Sequence, residues 1–509
     1  MQTIFNRRNK LIFFLFCIFL SFTFLLIATK SSPLYPFNDW VDTNASFTMG
    51  KAMMNGRVLY RDIVDQRGPF LYLLFGVAYL ISNTTFIGVF IFEVVAASFL
   101  FYFSFRAINL FINAKYAVIS LPMLTAMVLN LKSFAQGGSP EEFCLPLIAV
   151  GLYHLLAYFK DIYPKPVPQK WVLINGVIAG CVLWIKFSLL GFWIGWVLSV
   201  CISLIINHGM VKALKTCLVF LTGMIIATLP WVAYFGFHQS IYKWVNSYFI
   251  VNLRGYSTSS SILTIIKSTI IGILYLLREN PVTIGFLFFG FIVSIIYEKF
   301  IEHKLGRVSL LLSFFLLALS VFGGGTLYIY YLLIFSPFII FGFIFVMTQI
   351  FEKYGKIYNS KYAYMLTCII FIISLTFTYF FHHNVDMLKL TKNDLVQYHY
   401  ATIINKNENP TLLNYGGLDH GFYTTTGIVP SVKYFQNLNI DYSRYPVVMD
   451  EQNRYIREKL VDYVVMQIPI SIYDGEIDLP CLNENYQLIE TEQQRNEKTD
   501  FYYLLFKKK

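Results

Sequence analysis

The sequence predicts a polytopic α-helical membrane protein with a small α/β domain at its C-terminus. Hydrophobic residues make up 56% of the 509 residues and charged residues only 14%, whereas about a quarter of an average soluble domain is charged. Apolar runs suited to membrane helices recur from residue 11 to residue 381. Beyond residue 381 the chain is more polar. We therefore expect a multi-span domain, 1–381, followed by an α/β domain, 382–509.

The first apolar run, 11–28, follows basic residues and resembles a signal peptide. It is long enough to span a bilayer, and no clear small-residue cleavage site follows it, so we expect an uncleaved first helix. The other twelve apolar runs lie at 70–82, 84–104, 116–131, 142–159, 171–186, 187–207, 216–236, 262–277, 282–297, 308–322, 326–349 and 362–381.

Because lysine and arginine stay in cytoplasmic loops, they predict which runs cross the membrane. With the N-terminus inside, all five basic gaps are cytoplasmic only if runs 70–82 and 262–277 do not cross. The first run is about 20 Å long as a helix, too short for a core of about 30 Å. The second contains Lys267 and suits an interfacial helix. Eleven spans result, or thirteen if both runs cross, and either number places the tail outside. The gaps contain Arg106 and Lys115; Lys160, Lys165 and Lys170; Lys212 and Lys215; Lys299, Lys304 and Arg307; Lys353, Lys356 and Lys361.

The tail alternates short apolar stretches with helical patterns, which is typical of a small α/β layer. We expect helices at 393–405 and 449–460. We expect strands at 410–415 and 462–467, and a closing hairpin that pairs 486–491 with 501–506.

The first outer loop, 29–69, is long, and long loops in compact proteins are usually functional. It carries four aspartates among three arginines and an ordered series of motifs. An acid after the first helix is followed by two glycines six residues apart, by Tyr-Arg-Asp, and by Asp-x-Arg-Gly-Pro-x-x-Tyr. The residues are Asp42; Gly50 and Gly56; Tyr60, Arg61 and Asp62; and Asp65, Arg67, Gly68, Pro69 and Tyr72.

These motifs resemble the GT-C class of integral membrane glycosyltransferases, near the protein mannosyltransferase and aminoarabinose transferase families and their bacterial cell-envelope relatives. The resemblance implies a polyprenyl-phosphate sugar donor, an inverting transfer and a catalytic acid in the first outer loop. Asp42 matches that acid. Many relatives have Asp-Glu there, whereas Thr43 follows Asp42 in this chain, so Asp39 or Asp65 would supply the second acid.

The chemistry of sugar transfer agrees with this resemblance. A carboxylate can take the proton of the acceptor hydroxyl, and nearby cations can hold the departing phosphate. Arg57, Arg61 and Arg67 are the candidate cations, with Asp62 beside them. The alternatives are that Asp42 caps a helix, that the arginines pair with Asp62 and Asp65 or attract lipid headgroups, and that Gly68-Pro69 is a turn into the apolar run.

Further candidate substrate-binding residues follow in the apolar part of the chain. Glu141 and Glu142 follow Gly137-Gly138-Ser139-Pro140, where they either face the active site or favour the first turn of a helix. Lys186 either contacts phosphate or extends to the interface. The aromatic side chains either line the lipid-sugar site or form an interfacial belt; they are Tyr328, Tyr330 and Tyr331. In the tail, Asp419 and His420 are expected at the surface.

The predicted function is transfer of a sugar from a polyprenyl-phosphate donor to an envelope glycopolymer, lipid or protein at the outer face of the cytoplasmic membrane. The alternative is a transporter, flippase or polymerase of lipid-linked saccharides. Expected partners are the donor, the acceptor and membrane lipid. Nucleic acid is not expected, because the formal charge of +11 is spread over short loops rather than one groove. No cofactor is predicted with certainty, and a divalent cation is left open.

Overall fold

The computed structural model describes residues 7–255, 261–355, 360–471, 480–496 and 499–509. Lys356, one of the predicted cytoplasmic lysines, lies outside these residues. The described chain is mostly helical and ends in a small sheet, which confirms the predicted fold class. Its α-helices are α1 Arg7–Ala28, α2 Val41–Met54, α3 Pro69–Ile81, α4 Ile87–Ile108, α5 Ala114–Leu129, α6 Pro140–Ala157, α7 Gln169–Lys186, α8 Gly191–His208, α9 Met210–Phe237, α10 Ile241–Val245, α11 Val251–Gly255, α12 Ile262–Glu279, α13 Pro281–Ile296, α14 Lys304–Phe322, α15 Ile340–Tyr354, α16 Ser360–Phe381, α17 Val396–Ile404, α18 Phe422–Thr426, α19 Val447–Arg457 and α20 Pro480–Asn485.

Eight helical segments in the described ranges are long and apolar enough to cross a membrane. The longest of them, 169–208, contains both α7 and α8. Helix α12, over the run predicted to lie in the interface, is not among the eight, and α3 has only 13 residues. The number of crossings and their orientation stay predictions. The eight segments are Asn9–Ala28, Ile87–Ile108, Pro140–Ile162, Gln169–His208, Met210–Phe237, Lys304–Phe322, Ile329–Tyr354 and Lys361–Phe381.

The described chain divides into two compact units, and each has its own core. The first unit comprises 1–29, 92–230 and 258–385 and holds most of the long helices. Glycine brings some of them together: a Cβ on Gly176 of α7 would lie 2.1 Å from the backbone oxygen of Phe220 on α9. Only a residue without a side chain permits this approach, as at many membrane helix crossings.

The second unit comprises 30–91, 231–257 and 386–509, so the tail and the first outer loop belong to one body. Backbone atoms join them, because Val64 N donates to Lys433 O at 3.1 Å. Arg61 Nη1 also donates to His238 O at 3.3 Å. The predicted domain limits, 1–381 and 382–509, stay a prediction.

The tail contains the elements that its sequence predicts. Helices α17 and α19 form, and the four strands make one sheet in the order β1-β2-β4-β3. β1 is parallel to β2, whereas β4 is antiparallel to both β2 and β3, which gives the predicted closing hairpin. The strands are β1 Leu412–Asn414, β2 Tyr463–Pro469, β3 Tyr486–Asn496 and β4 Thr499–Lys508.

Candidate functional site

The glycines of the first-loop motif have structural roles. A Cβ on Gly50 of α2 would lie 2.4 Å from the backbone nitrogen of Gly76 on α3, so glycine lets these helices pack backbone to backbone. Gly56 follows α2 with φ +81°, a conformation that favours glycine. Gly68 is extended, with φ −74° and ψ 149°, and Pro69 opens α3, so Gly68-Pro69 is a helix start rather than the expected turn. The motif residues therefore shape the connection between α2 and α3, which pack against each other.

The Tyr-Arg-Asp motif forms the next turn of the loop. Tyr60 has a left-handed φ of 64°, and its hydroxyl donates to Arg67 O at 2.6 Å. Asp62 accepts from Val58 N at 2.9 Å and from both Nε and Nη2 of Arg61, at 2.8 and 2.9 Å. The Arg61 guanidinium holds the pKa of Asp62 below its usual value. The structure thus shows the pairing predicted as an alternative for Arg61.

Asp42 lies in the first turn of α2, because the N-cap position is Trp40, which makes no side-chain cap bond. The capping alternative is therefore not what the structure shows. Asp42 Oδ1 pairs with Arg67 Nη2 at 2.5 Å, and the two side chains are only 16% and 14% exposed. Within the described residues, this is the one partner of the carboxylate. Its second oxygen, Oδ2, is available to a ligand.

Asp65 lies on the other side of Arg67 and is 1% exposed. Its Oδ2 accepts from Arg67 Nη1 at 2.6 Å and from the Tyr72 hydroxyl at 2.8 Å. Its Oδ1 accepts from Gln436 Nε2 at 3.3 Å. Because both oxygens have protein donors, Asp65 is suited to hold Arg67 in place and less suited to take a proton from a substrate.

Asp39 resembles Asp42 in its surroundings. Its Oδ1 pairs with Lys30 Nζ at 2.5 Å, and its side chain is 16% exposed. The lysine is almost buried. Two mostly shielded carboxylates therefore lie at the start of α2 and just before it, and each pairs with one cation.

The polar face of α2 is covered by the tail. Lys51, fully buried, donates to Tyr423 O at 2.7 Å, and Thr48 Oγ1 donates to Asp419 Oδ2 at 2.6 Å. Burial lowers the pKa of Lys51 to about 7 and raises the pKa of Asp419. The prediction that Asp419 lies at the surface is wrong, because donors from both the loop and the tail surround it. Its neighbour His420 is partly buried, and burial lowers the pKa of its imidazole to about 4.

A group of cations surrounds the Asp62 carboxylate. Arg57 and Lys433 act on it electrostatically, and Lys243 acts on Lys433. Burial and the charge of Lys243 lower the pKa of Lys433. Within the described residues, none of Arg57, Lys243 and Lys433 forms an ion pair with a carboxylate. Glu451 also acts on Lys433, but the cations Arg57, Arg61, Lys243 and Lys433 outnumber the acids Asp62 and Glu451 at this place.

In the first unit, Lys186 at the end of α7 forms an ion pair with Glu141 near the start of α6. Glu141 is fully buried, whereas Lys186 is 21% exposed. The ammonium lies 3.8 Å from the ring centroid of Tyr331 and 5.3 Å from that of Tyr330. Tyr328 stacks on Tyr330 with centroids 5.5 Å apart. The structure therefore brings these sequence-predicted residues into one cluster.

Glu142 has a different environment. It is almost buried, and its Oε2 accepts from Gly138 N at 2.9 Å. Ser139 caps α6 by accepting from Glu142 N, so the Gly-Gly-Ser-Pro turn is a helix start as its sequence indicates. Glu142 interacts electrostatically with Glu93, which is fully buried on α4. The helix-start alternative accounts for the backbone position of Glu142.

A divalent cation has no ready-made site among the described residues, because no three His, Cys, Asp or Glu side chains there are grouped to hold one.

Sequence reasoning missed Lys51, Asp419 and Gln436 as parts of this site. Lys51 carried a signal: a charged side chain between Gly50 and Ala52-Met53-Met54 on a short helix requires a polar partner if that face is buried. Asp419 and Gln436 carried no local signal, because each bonds to a residue 371 positions away.

Comparison with solved structures identifies the fold of this chain. No family model matches the sequence, and no curated protein sequence matches it. The structure of ArnT from Cupriavidus metallidurans bound to undecaprenyl phosphate matches at a TM-score of 0.60 and 11% identity, over 98% of each chain. The apo structure of the same ArnT matches at a TM-score of 0.55 and 11% identity, over 97% of each chain.

A third similar structure is the Archaeoglobus fulgidus oligosaccharyltransferase in complex with Zn and sulfate. It matches at a TM-score of 0.48 and 13% identity, over 96% of this chain and 72% of that one. The ArnT matches extend over nearly the full length of both chains and confirm, for the fold, the resemblance in the first-loop motifs. The chain has the GT-C fold of ArnT.

Proposed function

We propose that this chain transfers a sugar from a polyprenyl-phosphate donor to a hydroxyl group of an envelope glycopolymer, lipid or protein, at the outer face of the cytoplasmic membrane. The observation that carries the proposal is the arrangement of Asp42: Arg67 holds one carboxylate oxygen, and the other is open. The similar fold of ArnT, which was solved with undecaprenyl phosphate bound, supports a lipid-phosphate donor.

In the proposed step, Asp42 Oδ2 takes the proton of the acceptor hydroxyl. The hydroxyl oxygen forms a bond to the anomeric carbon of the sugar, and the bond from that carbon to the phosphate oxygen breaks. The phosphate leaves with the electron pair on the polyprenyl carrier. A single displacement of this kind inverts the anomeric centre. A general base contributes about 10²–10⁴-fold in rate.

The leaving phosphate requires cations that are not already neutralised. Arg61 and Arg67 both face carboxylates, so they are poorly placed to take up further negative charge. Arg57, Lys243 and Lys433 form no such pairs in the described chain. We assign the donor phosphate to this group, which stabilises developing charge without having to break an ion pair first.

Lys186 is a second candidate for phosphate contact, within the membrane unit. Its partner Glu141 is buried, and Tyr330 and Tyr331 lie against the ammonium. Aromatic faces hold a cation without neutralising it, but Glu141 already pairs with this ammonium, so Lys186 ranks below the group of Arg57, Lys243 and Lys433. None of the proposed residue roles depends on a metal ion.

The outer location rests on the basic gaps, which are cytoplasmic when the N-terminus is inside. Added protease should digest the tail in intact spheroplasts of cells that express the chain. Digestion only after lysis would place the first loop and the tail inside, and with them the proposed site.

The activity itself is tested by reconstituting the purified chain in vesicles with a panel of radiolabelled polyprenyl-phosphate sugars and envelope extract as acceptor. Transfer should move label from the lipid fraction to the acceptor and leave free polyprenyl phosphate. A flippase would instead move intact lipid-linked sugar between leaflets, with no label lost from the lipid. A polymerase would join whole saccharides and leave no single labelled sugar on the acceptor. Either result would contradict the proposal.

A further inference from the structure

Gln436 of the tail connects the Asp65 carboxylate to the backbone of Asp419. It is 1% exposed, and its Oε1 accepts from Asp419 N at 2.8 Å. Its Nε2 donates to Asp65 Oδ1 at 3.3 Å. One buried amide therefore joins the turn that holds Asp419 to the acid that holds Arg67.

The connection continues to the proposed base. Asp65 Oδ2 accepts from Arg67 Nη1 at 2.6 Å, and Arg67 Nη2 pairs with Asp42 Oδ1 at 2.5 Å. These bonds form a chain from Gln436 through Asp65 and Arg67 to Asp42. A backbone hydrogen bond from Val64 N to Lys433 O joins the loop to the tail close in sequence to Asp65 and Gln436.

The turn that holds Asp419 is itself fixed against α2. Gly421 has φ +92°, and a Cβ there would lie 2.0 Å from the ring of Phe37 and 2.8 Å from Asn44 Oδ1. Thr424 Oγ1 donates to Asn44 Oδ1 at 3.0 Å. The turn whose backbone bonds to Gln436 therefore also contacts α2, the helix that carries Asp42.

The chemistry of position 436 is specific. Asp65 Oδ1 needs a donor, and Asp419 N needs an acceptor, so an amide satisfies both. A carboxylate would serve Asp419 N but would place a negative charge against buried Asp65. An apolar side chain would leave both groups without a partner, which is unfavourable in a buried place.

We propose that Gln436 is a positioning residue for Asp42, which makes the tail part of the machinery of transfer rather than a separate display domain. It acts through Asp65 and Arg67, so that loss of its donor turns the Arg67 guanidinium and the Asp42 carboxylate away from the acceptor. This inference rests on the proposed function, in which Asp42 is the base.

The test is Gln436→Glu in the full-length chain, reconstituted as above, with Gln436→Leu beside it. Glutamate keeps the size of the side chain and the bond from Asp419 N, but once ionised it has no donor for Asp65; because burial and the neighbouring carboxylate raise the pKa of such a group, rates are compared up to about pH 9. We expect kcat per folded molecule to fall roughly tenfold to hundredfold while the KM for the donor stays unchanged, because the lost bond involves a charged group.

The pH profile distinguishes positioning from a general loss of structure. Protonated glutamate can donate again, so the ratio of the Gln436→Glu rate to the wild-type rate should rise as pH falls. The same ratio for Gln436→Leu should stay low. A Gln436→Glu rate near that of the wild type at about pH 9, or a flat ratio, would overturn the positioning role. If Asp42→Asn retains activity, the proposed function fails instead, and the two failures are separate results.

Discussion

The ion pair Asp42–Arg67 of the second unit and the ion pair Glu141–Lys186 of the first unit differ in which member stays accessible to a ligand. In the second unit, Asp42 and Arg67 are exposed to nearly the same small extent, and one oxygen of Asp42 has no partner among the described residues. In the first unit, Glu141 is completely buried, whereas Lys186 retains 21% exposure beside two tyrosine rings.

This difference indicates two chemical roles. An open carboxylate oxygen can take a proton, whereas an open ammonium can only attract negative charge. Arg67 orients Asp42, and Glu141 orients Lys186. Residue type alone predicts neither role, because each pair contains one acid and one base. We therefore propose a proton acceptor in the second unit and an anion contact in the first.

The largest expected effect on stability comes from breaking the buried pair. Lys186→Met leaves the Glu141 carboxylate buried without its cation, which should cost about 3–5 kcal/mol in the apparent free energy of unfolding. Denaturant titration in mixed micelles measures it. The control is Lys299→Met, whose partner Glu352 is exposed, so its loss should cost less than about 1 kcal/mol. Similar losses in the two variants would mean that burial of Glu141 does not matter.

A smaller effect on the unfolding free energy is expected from Lys51, the buried lysine of α2. Burial lowers the pKa of Lys51 to about 7, whereas an unfolded lysine titrates near pH 10.4. Between these values the unfolded chain binds one more proton than the folded chain. The unfolding free energy should therefore rise with pH in this window, by up to about 1.4 kcal/mol per pH unit.

Lys51→Met should abolish that rise, because no proton remains to be released there on folding. Denaturant titrations at pH 7, 8 and 9 measure the slope. Lys165→Met is the control, since Lys165 is exposed and should leave the slope unchanged. A Lys51→Met variant with the wild-type slope would show that another group is responsible.

The smallest expected effect is on the KM for the donor, and it comes from the cations near Asp62. Lys433→Gln should raise the KM for the donor roughly fivefold with little change in kcat, as expected when a uniform binding contact is lost. Arg61→Gln should change the KM less, because Asp62 already occupies that guanidinium. Initial rates over a range of donor concentrations decide this. A larger rise in KM for Arg61→Gln would assign the donor phosphate to Arg61.

Much of the fold could be predicted because its signals are local. The apolar runs mark the long helices, and the alternating stretches of the tail mark α17, α19 and the four strands. Gly50, Gly56 and Pro69 also act through short-range geometry. The candidate loop was therefore identifiable from sequence.

Which aspartate of the loop has which role could not be predicted from the sequence. Asp39, Asp42 and Asp65 are the same residue type in one loop, and only tertiary contacts distinguish Asp65 from the other two. Asp65 is satisfied by Gln436, which lies 371 residues further along the chain. No local pattern encodes such a bond. The same reason applies to Asp419, which looks like a surface residue in sequence and is buried against α2.

The central claim is that Asp42 is the base, and Asp39 supplies a matched control. Both side chains are 16% exposed, and each has Oδ1 paired with one cation. The measurement is the rate of label transfer by Asp42→Asn and Asp39→Asn in the same reconstituted vesicles, corrected for folded protein. Asparagine keeps the size of each side chain but cannot act as the base. The account predicts a loss of about 10²–10⁴-fold for Asp42→Asn and at most a few-fold for Asp39→Asn. Near-normal transfer by Asp42→Asn, or equal losses in both variants, would contradict it.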